Sequence, residues 1–444
     1  MAKSNNIALN SLDEWLEYIS ETHPSEIEMG LDRIRRVFGK MTALENTHAP
    51  KPKQVVVVSG TNGKGSTISL IEAGLISMGL SVGSYTSPHI RKYNERVKIN
   101  AQPVSDVALV DSFKRVESAR ADVPLTYFEF GTLVAFDVLF NRDLDVLILE
   151  IGLGGRLDAV NIVDADLSII TSVALDHTDW LGTSLEGIGF EKAGILRSNG
   201  LAILGENLPD SVSLHAKGLC CKALTVHQDI IRNERGVILS EEVGGTSYQG
   251  FPSVRLPENN ILIALQAVKQ LSKKVIYDRK SVFSYESIIE IFSNVKIEGR
   301  LEEVKNNALG SNQRVFLDVG HNPHAAKYLS GVLTGLKSPG MVVNAVYSSL
   351  GDKDVSSLAE ILSPVIDTWY LAPLVNERAL DMVKLETAVG EFTKNMLSFG
   401  TLHEALHSAL DSRLDDNDQG PKSITLVFGS FYVIDAAKAY FEGL

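Results

Sequence analysis

The stretch Val55-Val56-Val57-Val58-Ser59-Gly60-Thr61-Asn62-Gly63-Lys64-Gly65-Ser66-Thr67 decides how the chain is read. Four consecutive β-branched residues predict a strand buried on both faces. The glycines that follow allow backbone N–H groups to curl around a phosphate, and Lys64 places a point charge on it. Helical spacing from Ser66 to Met78 then puts a helix N-terminus, with its dipole, at the same anion. The residue after Lys64 is Gly65 rather than a hydroxyl, so hydroxyl ligation falls to Ser66 or to a residue elsewhere.

The same alternation of a short apolar run and a helical pattern recurs along the chain and predicts βαβ units around a parallel sheet. Asp145–Ile151 and Leu167–Val173 read as two further buried strands. Arg232–Pro257 changes character: its glycines, prolines and short alternating runs predict small antiparallel strands and turns. Helical periodicity returns over Asn259–Leu271. A second α/β alternation starts near Arg314 and ends with Ser423–Ser430 and a last helix. The boundary falls between Val295 and Arg300, with Gly299 as the flexible point. Two domains are therefore expected, residues 1–297 and 298–444, within an α/β fold: a P-loop-type N-terminal domain and a smaller Rossmann-like C-terminal domain.

Composition bounds the function. The 444 residues carry 42 Lys plus Arg against 55 Asp plus Glu, a net charge of −13, which disfavours nucleic acid and membrane surfaces as partners. No apolar stretch reaches the roughly 18 residues that span a bilayer, and the first ten residues have no apolar core of a signal peptide. The two cysteines, Cys220 and Cys221, are neighbours and fit a reducing compartment. A cytoplasmic protein is expected.

Further motifs sit at the ends of the strands. In Leu149-Glu150-Ile151-Gly152-Leu153-Gly154-Gly155-Arg156-Leu157-Asp158, Glu150 closes a strand, where α/β folds place their ligands. A carboxylate opposite a P-loop suits Mg²⁺, a hard ion that takes oxygen ligands. Asp176-His177-Thr178-Asp179 follows the next strand, and His177 there reads as a metal ligand, an acid/base group or a capping residue. Lys192 in Glu191-Lys192-Ala193-Gly194-Ile195 reads, taken alone, as a solvated helical lysine.

Taken in order, Gly60–Ser66, Thr86-Ser87-Pro88-His89, Tyr127–Leu133, Leu149–Ala159, Leu175–Gly182, Glu191–Ile195 and Leu317–Ala326 resemble the folylpolyglutamate synthases of the Mur ligase family. The likeness is strongest to the bacterial form that is also a dihydrofolate synthase, and it runs from about Leu12 to Tyr440. It implies a Mur ligase central ATPase domain followed by a glutamate ligase domain. It also implies ATP-dependent joining of L-glutamate to dihydropteroate and to reduced folates through an acyl phosphate. By that resemblance Thr61, Asn62, Gly63, Lys64, Gly65 and Ser66 hold the ATP phosphates, with Asn260, Arg300, Asp318 and His321 as further nucleotide contacts. Arg300 would reach the phosphates on domain closure. Ser87 and Glu150 would ligate one Mg²⁺, and His177 and a carbamylated Lys192 a second. Thr22, His23, Thr126, Tyr127, Phe128, Glu129, Leu157, Asp158 and Ala159 would form the pterin site, with Asp158 steering the incoming amine. A monomer is expected.

Overall fold

The structure, a computed structural model, describes residues 9–21, 23, 28–44, 52–241, 245–275, 283–306, 309, 313–411 and 423–443. The chain forms two compact units, Met1–Val254 with Glu258–Val295, and Arg255–Pro257 with Lys296–Leu444.

The first unit is built on β1 (Gln54–Ser59), β2 (Val82–Tyr85), β3 (Val97–Ile99), β4 (Gln102–Pro103), β5 (Val146–Glu150), β6 (Leu167–Ile170), β7 (Leu201–Leu204) and β8 (Lys222–Thr225). These strands lie in the order β4-β3-β2-β5-β1-β6-β7-β8. β2 through β8 along that order run parallel, while β3 and β4 extend the edge antiparallel. Val56, Val57 and Val58 are fully buried at the centre, as a strand covered by helices on both faces requires. Val58 is in register with Glu150, and Ser59 with Ile170, so the carboxyl ends of β5, β1 and β6 lie side by side. In parallel sheets that edge is where ligands bind.

The expected strand Leu167–Val173 ends early, at Ile170. The reason is local: Thr171 Oγ1 and Ser172 Oγ donate to the carbonyl of Asn62 at 2.7 and 3.0 Å, and the Thr61 N–H donates to the Ser172 carbonyl at 2.9 Å. The backbone turns out of the sheet to latch the phosphate loop.

The glycine- and proline-rich segment forms a separate antiparallel sheet of β9 (Ile231–Asn233), β10 (Gly236–Ser240) and β11 (Gly245–Gln249). It is tied to the helix Glu258–Val275 by Lys269, whose side chain is only 1% exposed and pairs with Glu241 while lying over the Tyr248 ring. Burial works against a charged Glu241, yet hydrogen bonds from Lys269, Lys273 and Thr246 pull its pKa down from 4.5 to about 2. A depressed carboxylate stabilises the fold fully above its unfolded pKa and loses that contribution as pH falls from 4.5 toward 2. Glu241→Gln leaves the Lys269 ammonium buried without its partner and is expected to cost about 3 kcal/mol. Thermal melts at neutral pH check this, and between pH 4.5 and 2 the variant should lose less stability than the wild type.

The second unit carries β12 (Glu302–Glu303), β13 (Gln313–Asp318), β14 (Val342–Tyr347), β15 (Thr368–Leu371), β16 (Met396–Ser398) and β17 (Ser423–Phe428). Their order is β12-β13-β17-β14-β15-β16, parallel except for the edge strand β12. Trp369, Tyr347 and Phe428 pack in its core at ring separations of 4.7–6.1 Å. Among the described residues no helix is long and apolar enough to cross a membrane.

Candidate active site

The phosphate loop bridges β1 and the helix Lys64–Ser77. Its shape needs glycine at two positions. Gly60 and Gly63 have φ of 154° and 86°, and a Cβ would strike the Thr171 hydroxyl in the first case and the Asn260 amide in the second. Asn260, buried near the start of the helix Glu258–Val275, is therefore brought directly against the loop. The helix Lys64–Ser77 has no side-chain cap at its N-terminus, which leaves its first N–H groups facing the loop. Ser66 is buried in its first turn.

Charged groups gather at the strand ends. Lys64 Nζ donates to the Gly60 carbonyl at 3.0 Å and stands 3.9 Å from Glu150 Oε1. The Ser87 N–H donates to Glu150 Oε2 at 3.1 Å. Glu150 is buried, so its charge is held in place by protein neighbours such as these rather than by bulk water. The Glu150 carboxylate and Ser87 hydroxyl are hard oxygen donors beside a phosphate cradle, which fits a divalent cation that takes its remaining ligands from phosphate and water. Among the described residues no three His, Cys, Asp or Glu side chains converge into a closed metal cage. A substrate-borne cation needs no such cage.

The Gly152–Asp158 loop and the helix Leu185–Ala193 lock together. A Cβ on Gly155 would come within 2.7 and 2.9 Å of the Glu191 and Lys192 carbonyls, and one on Gly194 would strike Arg156. The Arg156 N–H donates to the Glu191 carbonyl at 2.8 Å, and its guanidinium pairs with Glu191 Oε1 at 2.8 Å. The interlock carries Lys192 inward: it is 4% exposed, not a solvated lysine. Burial first, then the nearby Lys64 charge, push its pKa down to about 7 against the pull of Asp176 and Asp158. Asp158 is buried as well and rises to about 7, although N–H groups of Leu153, Val160 and Gly152 and the Lys64 charge favour its ionised form. Asp158 Oδ2 accepts from Leu153 N–H and Oδ1 from Val160 N–H, so the carboxylate also shapes the loop.

His177 caps the short helix Thr178–Leu181 with a left-handed φ of 51° and is solvent-exposed after β6. Its backbone N–H donates to the carboxylate of Asp176 at 2.9 Å.

Two stretches expected to hold a pterin meet through charge. Thr126 caps the helix Tyr127–Phe140 in a reciprocal box with Glu129. Arg33 Nε donates to Glu129 Oε2 at 3.3 Å and its guanidinium also pairs with Glu28, which lies 3.2 Å from His23 Nε2. Phe128 packs on Gly152, where a Cβ would come within 2.5 Å of its ring, and stacks on Tyr85 at 6.3 Å. Leu157 is half-buried and Ala159 buried on the adjoining turn. Thr22 lies outside the described residues.

In the second unit, Asp318 is buried between the N–H groups of Leu301 and Gly320, at 2.9 and 2.7 Å. Burial raises its pKa while Arg300 and His321, close enough to interact, oppose the rise. His321 Nδ1 bonds to the Val319 carbonyl at 2.9 Å, and Arg300 lies 5.6 Å over the Phe431 ring. The three expected nucleotide contacts of this unit thus form one local cluster.

Sequence reasoning missed Thr171 and Ser172, which read as the end of a strand.

Residues 299–431 match the model of the Mur ligase glutamate ligase domain. The chain is 38% identical over 431 residues to the dihydrofolate synthase/folylpolyglutamate synthase of Escherichia coli strain K12, covering 96% of this chain and 94% of that relative. The Haemophilus influenzae enzyme of the same name is 37% identical, over 97% and 98% of the two chains. Among solved structures, Escherichia coli FolC in complex with DHPP and ADP superposes with a TM-score of 0.85 at 35% identity, covering 98% of each chain. A bifunctional folylpolyglutamate synthase/dihydrofolate synthase with Mn, AMPPNP and L-glutamate bound gives 0.83 at 35% identity, again over 98% of each chain.

Proposed function

Because the chain belongs to the dihydrofolate synthase/folylpolyglutamate synthase family of Mur ligases, we propose that it joins L-glutamate to dihydropteroate, and to the glutamate tail of reduced folates, at the expense of ATP. The observation that carries this reading is the assembly of Lys64, Glu150, Asp158 and Lys192 around the phosphate loop in a chain alike over its whole length to such ligases.

A carboxylate oxygen of the acceptor attacks the γ-phosphorus, the bond to ADP breaks, and an acyl phosphate forms. The glutamate amine then attacks the acyl carbon, inorganic phosphate leaves with the electron pair, and the nitrogen gives up a proton. The first step brings anion to anion, so positioned positive charge must carry much of the catalysis. Backbone N–H groups of Thr61 to Gly65, the start of the helix at Lys64 and the Lys64 ammonium hold the phosphates, with Asn260 fixing the loop from behind. Arg300, Asp318 and His321 are the second unit's candidates for nucleotide contact.

Ser87 and Glu150 are the residues that would hold a first divalent cation, and His177 and Lys192 a second. When bound, such ions neutralise phosphate charge and orient the attacked phosphorus. Lys192 suits this role as a carbamate. Its pKa of about 7 leaves a large neutral fraction at neutral pH, and only the neutral amine can form the C–N bond to CO₂ with loss of a proton. The product is an anionic oxygen donor where a cation stood. Asp158 organises the loop beside the acceptor and is positioned to orient the amine. His23, Thr126, Tyr127, Phe128, Glu129, Leu157 and Ala159 form the pterin side. The enzyme acts as a cytoplasmic monomer.

The reading is tested by incubating the protein with Mg-ATP, glutamate and either dihydropteroate or tetrahydrofolate. Phosphate release should require glutamate and at least the pteroate, with a matching amide product. ATP hydrolysis that ignores both pterins contradicts the proposal.

A further inference from the structure

Arg300, the second unit's candidate for contact with the nucleotide, sits on a strap of unusual shape. Gly299 and Leu301, on either side of it, have left-handed φ of 62° and 43°. A leucine seldom takes that angle, because its Cβ crowds the backbone, and Leu301 is buried as well. Such a conformation persists only where the surroundings hold it. Here the backbone is tied at each residue. The Leu301 N–H donates to Asp318 Oδ2 at 2.9 Å. The Val319 N–H donates to the Gly299 carbonyl at 2.9 Å, and the Arg300 N–H to the Ile297 carbonyl at 3.3 Å. The Gly299 N–H donates to Glu302 Oε2 at 2.8 Å.

The other oxygen of Glu302 is bound by Lys438. Its Nζ donates to Glu302 Oε1 at 3.0 Å and to Glu298 Oε2 at 2.9 Å, bridging the two ends of the strap. The limbs of this clamp are unequal. The Glu298 side chain is 63% exposed, and an ion pair with so much water around it contributes little. Glu302 and Lys438 are 29% and 16% exposed, and the same Glu302 carboxylate is bonded to the strap's own backbone. Burial works against the charge on Lys438, yet its hydrogen bonds to Glu298 and Glu302 outweigh that and raise its pKa.

Lys438 also shares a helix face with the ring beneath Arg300. Phe431 opens the helix Phe431–Glu442, and Lys438 follows two turns later on the same side. The Arg300 guanidinium lies 5.6 Å over the Phe431 ring. One helix therefore meets the arginine's side chain at one end and grips its backbone at the other.

We propose that Lys438 is a positioning residue for Arg300: by bridging Glu298 and Glu302 it fixes the backbone of residues 298–302 and so presents the guanidinium in one orientation. This rests on the nucleotide contact proposed above for Arg300. An arginine ordered beforehand loses less conformational freedom when a phosphate arrives, and the contact is stronger for it.

The test is a double-mutant cycle in steady-state kinetics, with ATP varied and dihydropteroate and glutamate saturating. Arg300→Met should lower kcat/KM for ATP about 10²-fold. Lys438→Met should lower it about 10-fold, the scale of a misplaced group rather than a missing one. In the Arg300→Met background, however, Lys438→Met should cost less than about twofold, because no guanidinium is left to place. Lys438→Arg, which keeps a donor for each carboxylate, should restore most of the loss. A salt bridge that only pins the last helix would cost the same factor in both backgrounds; that result overturns the proposal, as does wild-type kcat/KM in Lys438→Met. If Lys438→Met does not fold, Glu302→Gln reads the same coupling. Its amide oxygen still accepts the Gly299 N–H, while its side chain no longer pairs with the ammonium. Equal losses with and without Arg300 overturn the proposal there too. Wild-type kinetics in Arg300→Met would remove the nucleotide contact and the positioning role together, whereas a loss in Arg300→Met beside an additive loss in Lys438→Met removes the positioning role alone.

Discussion

Lys192→Ala is expected to lower kcat/KM by about 10³-fold or more while the protein stays folded. The lysine is 4% exposed and sits within electrostatic reach of Lys64, Asp158 and Asp176, so it is part of the charge arrangement at the phosphate loop. An ordinary ammonium there would repel Lys64 and would be costly to bury. A carbamate reverses both problems, because it pairs with cations instead of opposing them. Alanine would remove the oxygen donor of the proposed carbamate, but it also removes a group that burial had already disfavoured as a cation, so the melting temperature should move by only a few degrees. Lys192→Arg should be as inactive as alanine, since a guanidinium stays protonated and does not take up CO₂. Steady-state kinetics with dihydropteroate, beside thermal melts, check both statements. A Lys192→Ala enzyme with near wild-type turnover contradicts the role given to this residue.

Lys64→Met is the second large effect, a loss of about 10²- to 10³-fold in kcat/KM with weaker nucleotide binding. Lys64 Nζ spans the loop between the Gly60 carbonyl and Glu150, so a single cation meets both the cradle and the carboxylate. Methionine preserves the stem's length and packing, so the backbone of Gly60–Gly65 should keep its shape. Isothermal titration with ATP and with ADP separates the two contributions. If the ammonium meets the terminal phosphate, ATP affinity falls more than ADP affinity. Equal losses for both nucleotides would move its contact away from the γ-phosphate. A second consequence concerns Lys192: Lys64 helps to depress its pKa, so the methionine variant should hold less neutral amine at pH 7 and take up CO₂ less readily.

Much of this arrangement was legible in the chain, and the reasons are physical. The run Val55–Val58 admits little besides a doubly covered strand, and Gly60 and Gly63 sit where the backbone takes left-handed angles or meets another side chain. β14 and β17 of the second unit read equally clearly, because both are largely apolar and lie inside the parallel sheet with a strand on each side. What escaped reading depends on contacts between distant segments. Gly155 and Gly194 look like turn glycines, yet each is needed because the other segment's backbone or Arg156 lies against it. Lys192, taken without the resemblance, reads as a surface lysine because its helix has no clear apolar face; its burial comes from the Gly152–Asp158 loop laid across it. Thr171 and Ser172 continue an apolar run in sequence and leave the sheet only because Asn62 offers acceptors. The short strands β3, β4 and β12 are two or three residues long, too short for an alternation to register.

The acidic balance of the chain also takes on a narrower meaning. With a net charge of −13, its overall field does not attract ATP, pteroate or glutamate, all of them anions. On the proposed site, attraction would have to be local, from Lys64 and from divalent cations beside Glu150. Binding of all three substrates should therefore depend on Mg²⁺ to a different degree, most for ATP and least for dihydropteroate.

Chemistry at the acceptor carboxylate separates this mechanism from any other use of a phosphate loop. With dihydropteroate labelled by ¹⁸O in its carboxylate, one labelled oxygen should appear in the inorganic phosphate released for each amide bond formed, because that oxygen attacks the γ-phosphorus and leaves with it. Phosphate released with no label, in step with product, would mean that no acyl phosphate forms and would contradict the mechanism.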